Sequence, residues 1–389
     1  MELPLPDPDA LAYSDTLKRH IADEIIAAGG WISFARFMEL ALYSPGMGYY
    51  SGGAHKFGAA GDFVTAPEIS SLFSQTLATQ AQQVMALSAP QIIEVGAGSG
   101  RLATDLLLEL ETRGALPERY AILDLSGELR QRQRDTLAER APHLLPRVEW
   151  LDRLPERFDG LVLANELLDA MPMHYVAWGS DEKPSTLFER GVSWDDSEFI
   201  WHDRPATGRV QERAQALASE CSLPPGYVSE ICLASADWTA AWADILGQGA
   251  LLLIDYGFPR HEYYHPQRNS GTLMCHYRHR AHGEPFFLPG LQDITAHVDF
   301  TAIVEAGFEA GLEFLGYTSQ AAFLLNCGLT EIVARAPIDD SMRYLQQTQA
   351  AQKLISPAEM GELFKVIALG KGIAEPLIGF AQNDRSATL

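Results

Sequence analysis

The chain has 389 residues, 47% of them hydrophobic and 21% charged, the balance of a soluble globular protein long enough to bury a large core. With 51 acidic residues against 29 basic ones its formal net charge is −22, which argues against wrapping nucleic acid because phosphate contacts need basic surface. The four cysteines, Cys221, Cys232, Cys275 and Cys327, form no CxxC pair and read as buried thiols in a reducing compartment.

The first ten residues, MELPLPDPDA, carry neither a basic run nor an apolar core, so neither a signal nor a transit peptide is expected. No window supplies the about 18 apolar residues of a membrane span, and the expected location is the cytoplasm. Leu11, Leu17, Ile21, Ile25 and Ile26 recur at helical spacing, predicting a helix over 9–28 that Gly29-Gly30 stops. A second helix starts at Ser33 and turns Phe34, Phe37, Met38 and Leu42 inward. Then six glycines fall between Gly46 and Gly61 with no period. Interleaved Tyr49, Tyr50, Phe57 and Phe63 favour an ordered lid over a linker. A helix over about 69–87 follows.

From Gln91 onward short apolar runs alternate with helical patterns. QIIEV, YAILDL, RVEW, GLVLANE and GALLLIDYG read as strands, while RLATDLLLELETRG and GELRQRQRDTLAER read as helices. That alternation predicts an α/β fold with a parallel, doubly wound sheet. GLEFLGYTS and LFKVIALGKG are further strand candidates in the tail, with helical material at about 319–353 between them. The expected division is 1–90, a helical segment with the Gly-rich lid, and 91–389, the core. Insertions are expected at about 171–245 and 260–300, and a helical one near 319–362.

The stretch IIEVGAGSGR carries the most chemistry. Glycines at a strand's carboxyl end let the backbone turn and approach a ligand closely. The spacing fails G-x-G-x-x-G, because that pattern's last position is Arg101, and fails the P-loop for want of a lysine. What remains is E-x-G-x-G-x-G, with Glu94 two residues ahead of Gly96. A carboxylate there repels pyrophosphate and suits a cation such as S-adenosylmethionine (SAM). Asp124 ends the second strand, 124 − 96 = 28 positions beyond the first glycine, where it can accept both ribose hydroxyls. LVLANELLDAMP places Asn165, Glu166 and Asp169 past a buried strand. If a helical turn begins there, Glu166 and Asp169 share a face and can grip a guanidinium or take its proton. Acids capping a helix start would leave the same residues.

In order along the chain, GDFVTAPEIS, EVGAGSGRLATDLL, LRQRQ, ANELLDAMP, IDYG, RNSGTLMCHYRHR and LQDITAHVDF resemble the successive motifs of the MidA-like SAM-dependent methyltransferases, from about Phe34 to Leu329. The eukaryotic members of that family are mitochondrial protein-arginine methyltransferases needed for assembly of respiratory complex I. The resemblance implies a class I, Rossmann-like methyltransferase fold with a mostly parallel sheet. It also implies SAM held at Glu94, Gly96, Ala97, Gly98, Gly100, Asp124, Leu125 and Asn165, with Gly61, Phe63, Pro67 and Glu68 folding over the mouth. Asp124 stands where many relatives carry Glu. Segment 330–362 is less distinctive. Asp62 and Glu68 are expected to join Glu166 in lining the acceptor pocket, while Phe63 and the tyrosines exclude water. The candidate catalytic set is Glu166, Asp169, Asn165 and Asp62. The expected partner is a protein substrate bearing an arginine, with a respiratory-complex subunit and a homodimer as further expectations. Two alternatives stand beside this reading: a methyltransferase for another nucleophile or a small molecule, and an assembly factor that holds SAM but works by binding its partner.

Cys275, His276, His279 and His282 do not follow the paired spacing of zinc sites, and Arg278 and Arg280 between them oppose a cation, so no metal is expected. Asp293, His297 and Asp299 are spaced so that they can orient one another, yet no nucleophile is placed beside them. Asp255-Tyr256-Gly257 ends the fifth strand, where substrate contact is expected.

Overall fold

A computed structural model describes residues 3–52, 65–179, 186–335 and 341–389. Chain contacts divide it into two compact units, Val64–Leu167 with Trp238–Gly257 and Phe300–Leu389, and Met1–Phe63 with Leu168–Asp237 and Phe258–Asp299.

The first unit is built on one sheet. Its strands are β1 (Gln91–Val95), β2 (Arg119–Leu123), β3 (Val148–Leu151), β4 (Phe158–Asn165), β5 (Leu246–Phe258), β6 (Glu313–Ser319) and β7 (Phe364–Lys371). They lie in the order β6-β7-β5-β4-β1-β2-β3. The pairs among β1 to β5 are parallel, and β7 alone runs against its neighbours β5 and β6. Helices α1 (Ser71–Leu87), α2 (Arg101–Thr112) and α3 (Gly127–Arg140) accompany the first three strands. Because helices cover the sheet, β4, β5 and β7 are apolar almost without alternation, as buried parallel strands must be. Leu163 and Leu252 in the strands, Phe73 in α1 and Leu106 and Leu110 in α2 form one buried cluster. The helices Gln320–Asn326, Leu329–Val333 and Ser341–Ile355 add Phe323, Leu324, Ile332 and Leu354 to the same core.

Register sets the level of the strand ends. Val95 lies opposite Leu123 and Ala164, and Asn165 lies opposite Ile254. The residues that follow, Gly96, Asp124, Glu166 and Asp255, therefore leave the sheet on one edge, beyond its carboxyl ends, where ligands bind in such sheets.

In the second unit the helix Pro8–Ala27 is capped by Asp7, which accepts from Ala10 N at 2.8 Å. The helix Phe34–Tyr43 is capped by Ser33, which accepts from Arg36 N at 3.2 Å. The region 171–245, expected as an insertion of mixed polar segments, contributes strands His174–Trp178, Leu187–Trp194, Phe199–Pro205 and Tyr227–Ile231 to an antiparallel sheet that also takes Ile32–Ser33. A smaller sheet joins Met274–Tyr277, Arg280–His282 and Asp293–Thr295. The helix Ser71–Leu87 belongs to the parallel-sheet unit, whereas the sequence division at residue 90 grouped it with the N-terminal segment.

Candidate functional site

The turn after β1 is made by three glycines with positive φ, 72° at Gly96, 53° at Gly98 and 82° at Gly100. Gly96 N donates to Leu123 O at 3.0 Å, so the turn starts locked to β2. At Gly100, which opens α2, a Cβ would stand 2.9 Å from Gln133 Cα, so no other residue fits without moving α3. Gly98 differs: among the described residues nothing lies within 4 Å of its would-be Cβ. Ala97 between them is buried. Ser99 Oγ donates to Glu68 Oε1, and Arg101 Nη1 lies 3.8 Å from Glu68 Oε2. The carboxylate of Glu68, expected in the acceptor pocket, ties the short helix Ala66–Ile69, begun by Ala66 and the buried Pro67, to the glycine turn.

Two buried carboxylates flank the turn. Glu94 is 2% exposed on β1, and Tyr120 on β2 donates its hydroxyl to Oε2 at 2.5 Å. Burial pushes the Glu94 carboxyl up to about 7, the Tyr120 hydrogen bond opposing and the Asp124 charge adding to it. Asp124 follows β2 and accepts from Ser126 N at 2.9 Å through Oδ1 and from Gln133 Nε2 at 2.8 Å through Oδ2. Burial raises its pKa as well, against those two hydrogen bonds and the charge of Arg130. Each oxygen still has a lone-pair direction to offer. Gln133 is fully buried; its Nε2 also reaches Gly98 O at 3.2 Å, and its Oε1 accepts from Trp150 Nε1 at 2.9 Å. Leu125, next in sequence, is 82% exposed, unusual for a leucine beside buried acids.

At the end of β4 no helix begins, which corrects the i, i+3 reading of Glu166 and Asp169. Glu166 has φ 51°, a left-handed conformation that stops helix growth at its first residue. Its N–H donates to Ile254 O at 2.8 Å, and Leu167 N donates to Asp255 Oδ2 at 3.2 Å, so the turn is pinned to the end of β5. Its Oε1 accepts from Asn165 Nδ2 at 3.2 Å and faces Ala66 N at 3.4 Å. Asn165 Oδ1 is buried and has no hydrogen-bond partner among the described residues. Asp255 is 1% exposed and binds backbone through both oxygens, the second from Tyr256 N at 2.9 Å. Asp169 falls in the other unit, buried, with its carbonyl accepting from Ala296 N at 3.0 Å.

Tyr49 and Tyr50, read as lid residues, belong to the second unit: Tyr49 is buried in its core, and Tyr50 donates to Asp293 Oδ1 at 2.9 Å. Phe57, Gly61, Asp62 and Phe63 lie outside the described residues. His276 and His282 stand on paired strands, where burial holds both below the ordinary histidine pKa. Among the described residues no three His, Cys, Asp or Glu side chains are grouped to hold a metal ion. Asp293, His297 and Asp299 take other partners: Asp293 holds Tyr50, His297 stacks on Phe258 with ring centroids 5.1 Å apart, and Asp299 Oδ2 lies 3.6 Å from Arg260 Nε. Sequence reasoning missed Gln133, Tyr120, Trp150 and Ser99.

A family model described as "Putative S-adenosyl-L-methionine-dependent methyltransferase" matches residues 72–318. The protein arginine methyltransferase NDUFAF7 of Danio rerio, a mitochondrial protein, is 28% identical over 92% of this chain and 87% of its own. The mitochondrial homolog in Drosophila melanogaster is 26% identical over 98% and 93%. A crystal structure from Burkholderia thailandensis, bound to S-adenosyl-homocysteine, matches with TM-score 0.95 and 54% identity over 100% of both chains. These relatives overturn the cytoplasmic expectation, since the curated proteins are named mitochondrial.

The two glycines give a paired test of the turn. Gly98→Ala carries only the left-handed backbone penalty, about 1–2 kcal/mol. Gly100→Ala adds the collision with α3, so its unfolding midpoint falls further than that of Gly98→Ala in denaturant titrations. Equal midpoints contradict the tight packing of α2 against α3.

Proposed function

The chain belongs to this family of S-adenosyl-L-methionine-dependent methyltransferases, and from that membership we propose that it methylates an arginine side chain of a protein. The observation that carries the reading is the donor set at the carboxyl ends of β1, β2 and β4. It holds two buried carboxylates, Glu94 and Asp124, a buried Asn165 Oδ1 with no partner among the described residues, and an open glycine at position 98. Buried acceptors cost free energy unless donors reach them. A ligand with a cationic sulfonium, an ammonium and two vicinal hydroxyls supplies such donors and such charge, whereas a phosphate would meet only like charge.

In this reading Asp124 accepts the ribose hydroxyls through the lone pairs its protein partners leave. Glu94 and Asn165 face the ammonium of the amino-acid end. Gly98 lets the chain backbone approach closely, and the exposed Leu125 covers a face of the adenine. The chemistry supplied by the bound donor is an activated methyl on a sulfonium centre. Glu166 then has two tasks toward an arginine. Its carboxylate holds the guanidinium by N–H···O bonds, and it takes the proton that the nitrogen must lose to attack. The positive φ and the backbone bonds to β5 fix where that carboxylate sits, which matters because in-line transfer depends on position. The named activity of the curated relatives supports arginine as the acceptor. A subunit of a respiratory complex is the first acceptor class to try.

Purified protein, isotopically labelled SAM and a lysate are expected to place label on a discrete protein, with methylarginine found after hydrolysis. Glu166→Gln lowers that transfer at least about tenfold while donor affinity stays within twofold. Label on lysine or on a small molecule alone, or full turnover in Glu166→Gln, contradicts the assignment. The raised Glu94 gives a second test. Its carboxyl, near 7 in the free protein, must be ionised to face a cation, so donor binding releases a proton. Between pH 8 and 6 the wild type therefore loses about tenfold more affinity than Glu94→Gln in calorimetric titrations. Parallel pH profiles for the two proteins contradict the contact.

A further inference from the structure

We propose that Gln133 is the positioning residue that sets the ribose end of the donor site, by clamping Asp124 to the glycine turn. The assignment rests on the donor reading above and adds a residue to it. Gln133 is fully buried in the first unit, at the centre of α3's inward face between Leu129 and Leu137. A buried amide must spend all its hydrogen-bonding groups, and this one does. Trp150 Nε1 can only donate, so the atom facing it at 2.9 Å is the amide oxygen. That orientation leaves the NH2 group to face the site. One proton goes to Asp124 Oδ2 at 2.8 Å and the other to Gly98 O at 3.2 Å.

The clamp joins two successive β-α units. Gly98 belongs to the turn after β1 and Asp124 to the end of β2, and among the described residues the nearest backbone bond between the two segments is Gly96 N to Leu123 O, at 3.0 Å. Asp124 Oδ1 is held by its own loop through Ser126 N, and its carbonyl by Arg130 Nε at 2.7 Å. Gln133 is the partner that reaches across. Its Cα also lies only 2.9 Å from where a Cβ at Gly100 would fall, so the same residue sets how near α3 comes to the turn.

Two features suit a diol. With one lone pair of each Asp124 oxygen taken by Ser126 and Gln133, the directions left to the carboxylate are one per oxygen, the arrangement that vicinal hydroxyls require. Gln133 is also neutral. An arginine or lysine there would orient the carboxylate but cancel its charge, weakening each hydroxyl bond. An amide fixes the geometry and leaves the charge in place.

A core amide with a merely structural role would weaken all ligands alike, so the test varies the ribose. S-adenosyl-homocysteine and its 2′,3′-dideoxy analogue are titrated into full-length wild type, Gln133→Leu and Trp150→Phe. Wild type should prefer the diol form, and Gln133→Leu should lose at least fivefold of that preference. Its KM for SAM should rise at least about tenfold while kcat at saturating donor stays within twofold. Trp150→Phe keeps the amide but frees its orientation, and should fall between the two. It carries the test if Gln133→Leu does not fold. Equal weakening for both ligands, or an unchanged preference in both variants, overturns the assignment and leaves the donor reading intact. A wild type that binds neither ligand overturns the donor reading, and this assignment with it.

Discussion

A carboxylate withdrawn from water at the end of a strand persists only if donors reach its oxygens, and the parallel-sheet unit is arranged around that demand at Asp124. The loop after β2 returns Ser126 N to one oxygen, and α3 brings Gln133 to the other. To place Gln133 there, α3 must run close enough to the glycine turn that only glycine fits at position 100. Trp150 on β3 must then hold the amide the right way round. Three strands, one helix and one turn are thus fixed relative to one another by one buried charge. The arrangement costs stability, because burial raises the pKa of both Asp124 and Glu94. Carboxylates raised by burial in this way cluster at functional sites, in keeping with the proposed donor site.

The other side of the same sheet edge is built differently. At the end of β4 the strain is in the backbone, at Glu166, and Asp255 and Ile254 of β5 hold it with main-chain hydrogen bonds. A residue in a left-handed conformation persists only where its surroundings over-determine it. In the proposed function, then, the donor side stores electrostatic cost and the acceptor side conformational cost. That division fits a reaction in which one ligand must be gripped by charge and the other aimed.

Much of the parallel-sheet unit was legible because its signals are local. Apolar runs of strand length, the helical stripes and the three glycines each name their element without reference to the rest of the chain. Features that depend on distant partners were not legible. Nothing within ANELLDAMP announces that Glu166 turns left-handed, because the cause lies in β5, about 90 residues on. Tyr49 and Tyr50 sit in a glycine-rich stretch that reads as a lid, yet Asp293 draws Tyr50 into the core of the second unit. The strands in 171–245 escaped notice because one face of a sheet left to solvent is polar; Phe199–Pro205 buries only its first residue. Gln133 was hidden in the polar run RQRQRD, although its spacing of four from Leu129 and Leu137 marks an inward stripe. Location was not legible in composition or motifs; the relatives that overturn the cytoplasmic expectation do so by being named mitochondrial.

In the proposed function, strand-end carboxylates hold a cationic methyl donor by its ribose and its amino-acid tail. Isothermal titration of SAM into the purified protein, beside ATP and beside Asp124→Ala, tests it most directly. The expected result is saturable heat with one SAM per chain, no heat with ATP, and a loss of at least about tenfold in affinity in Asp124→Ala. Binding of ATP without binding of SAM, or undiminished SAM affinity in Asp124→Ala, would contradict it.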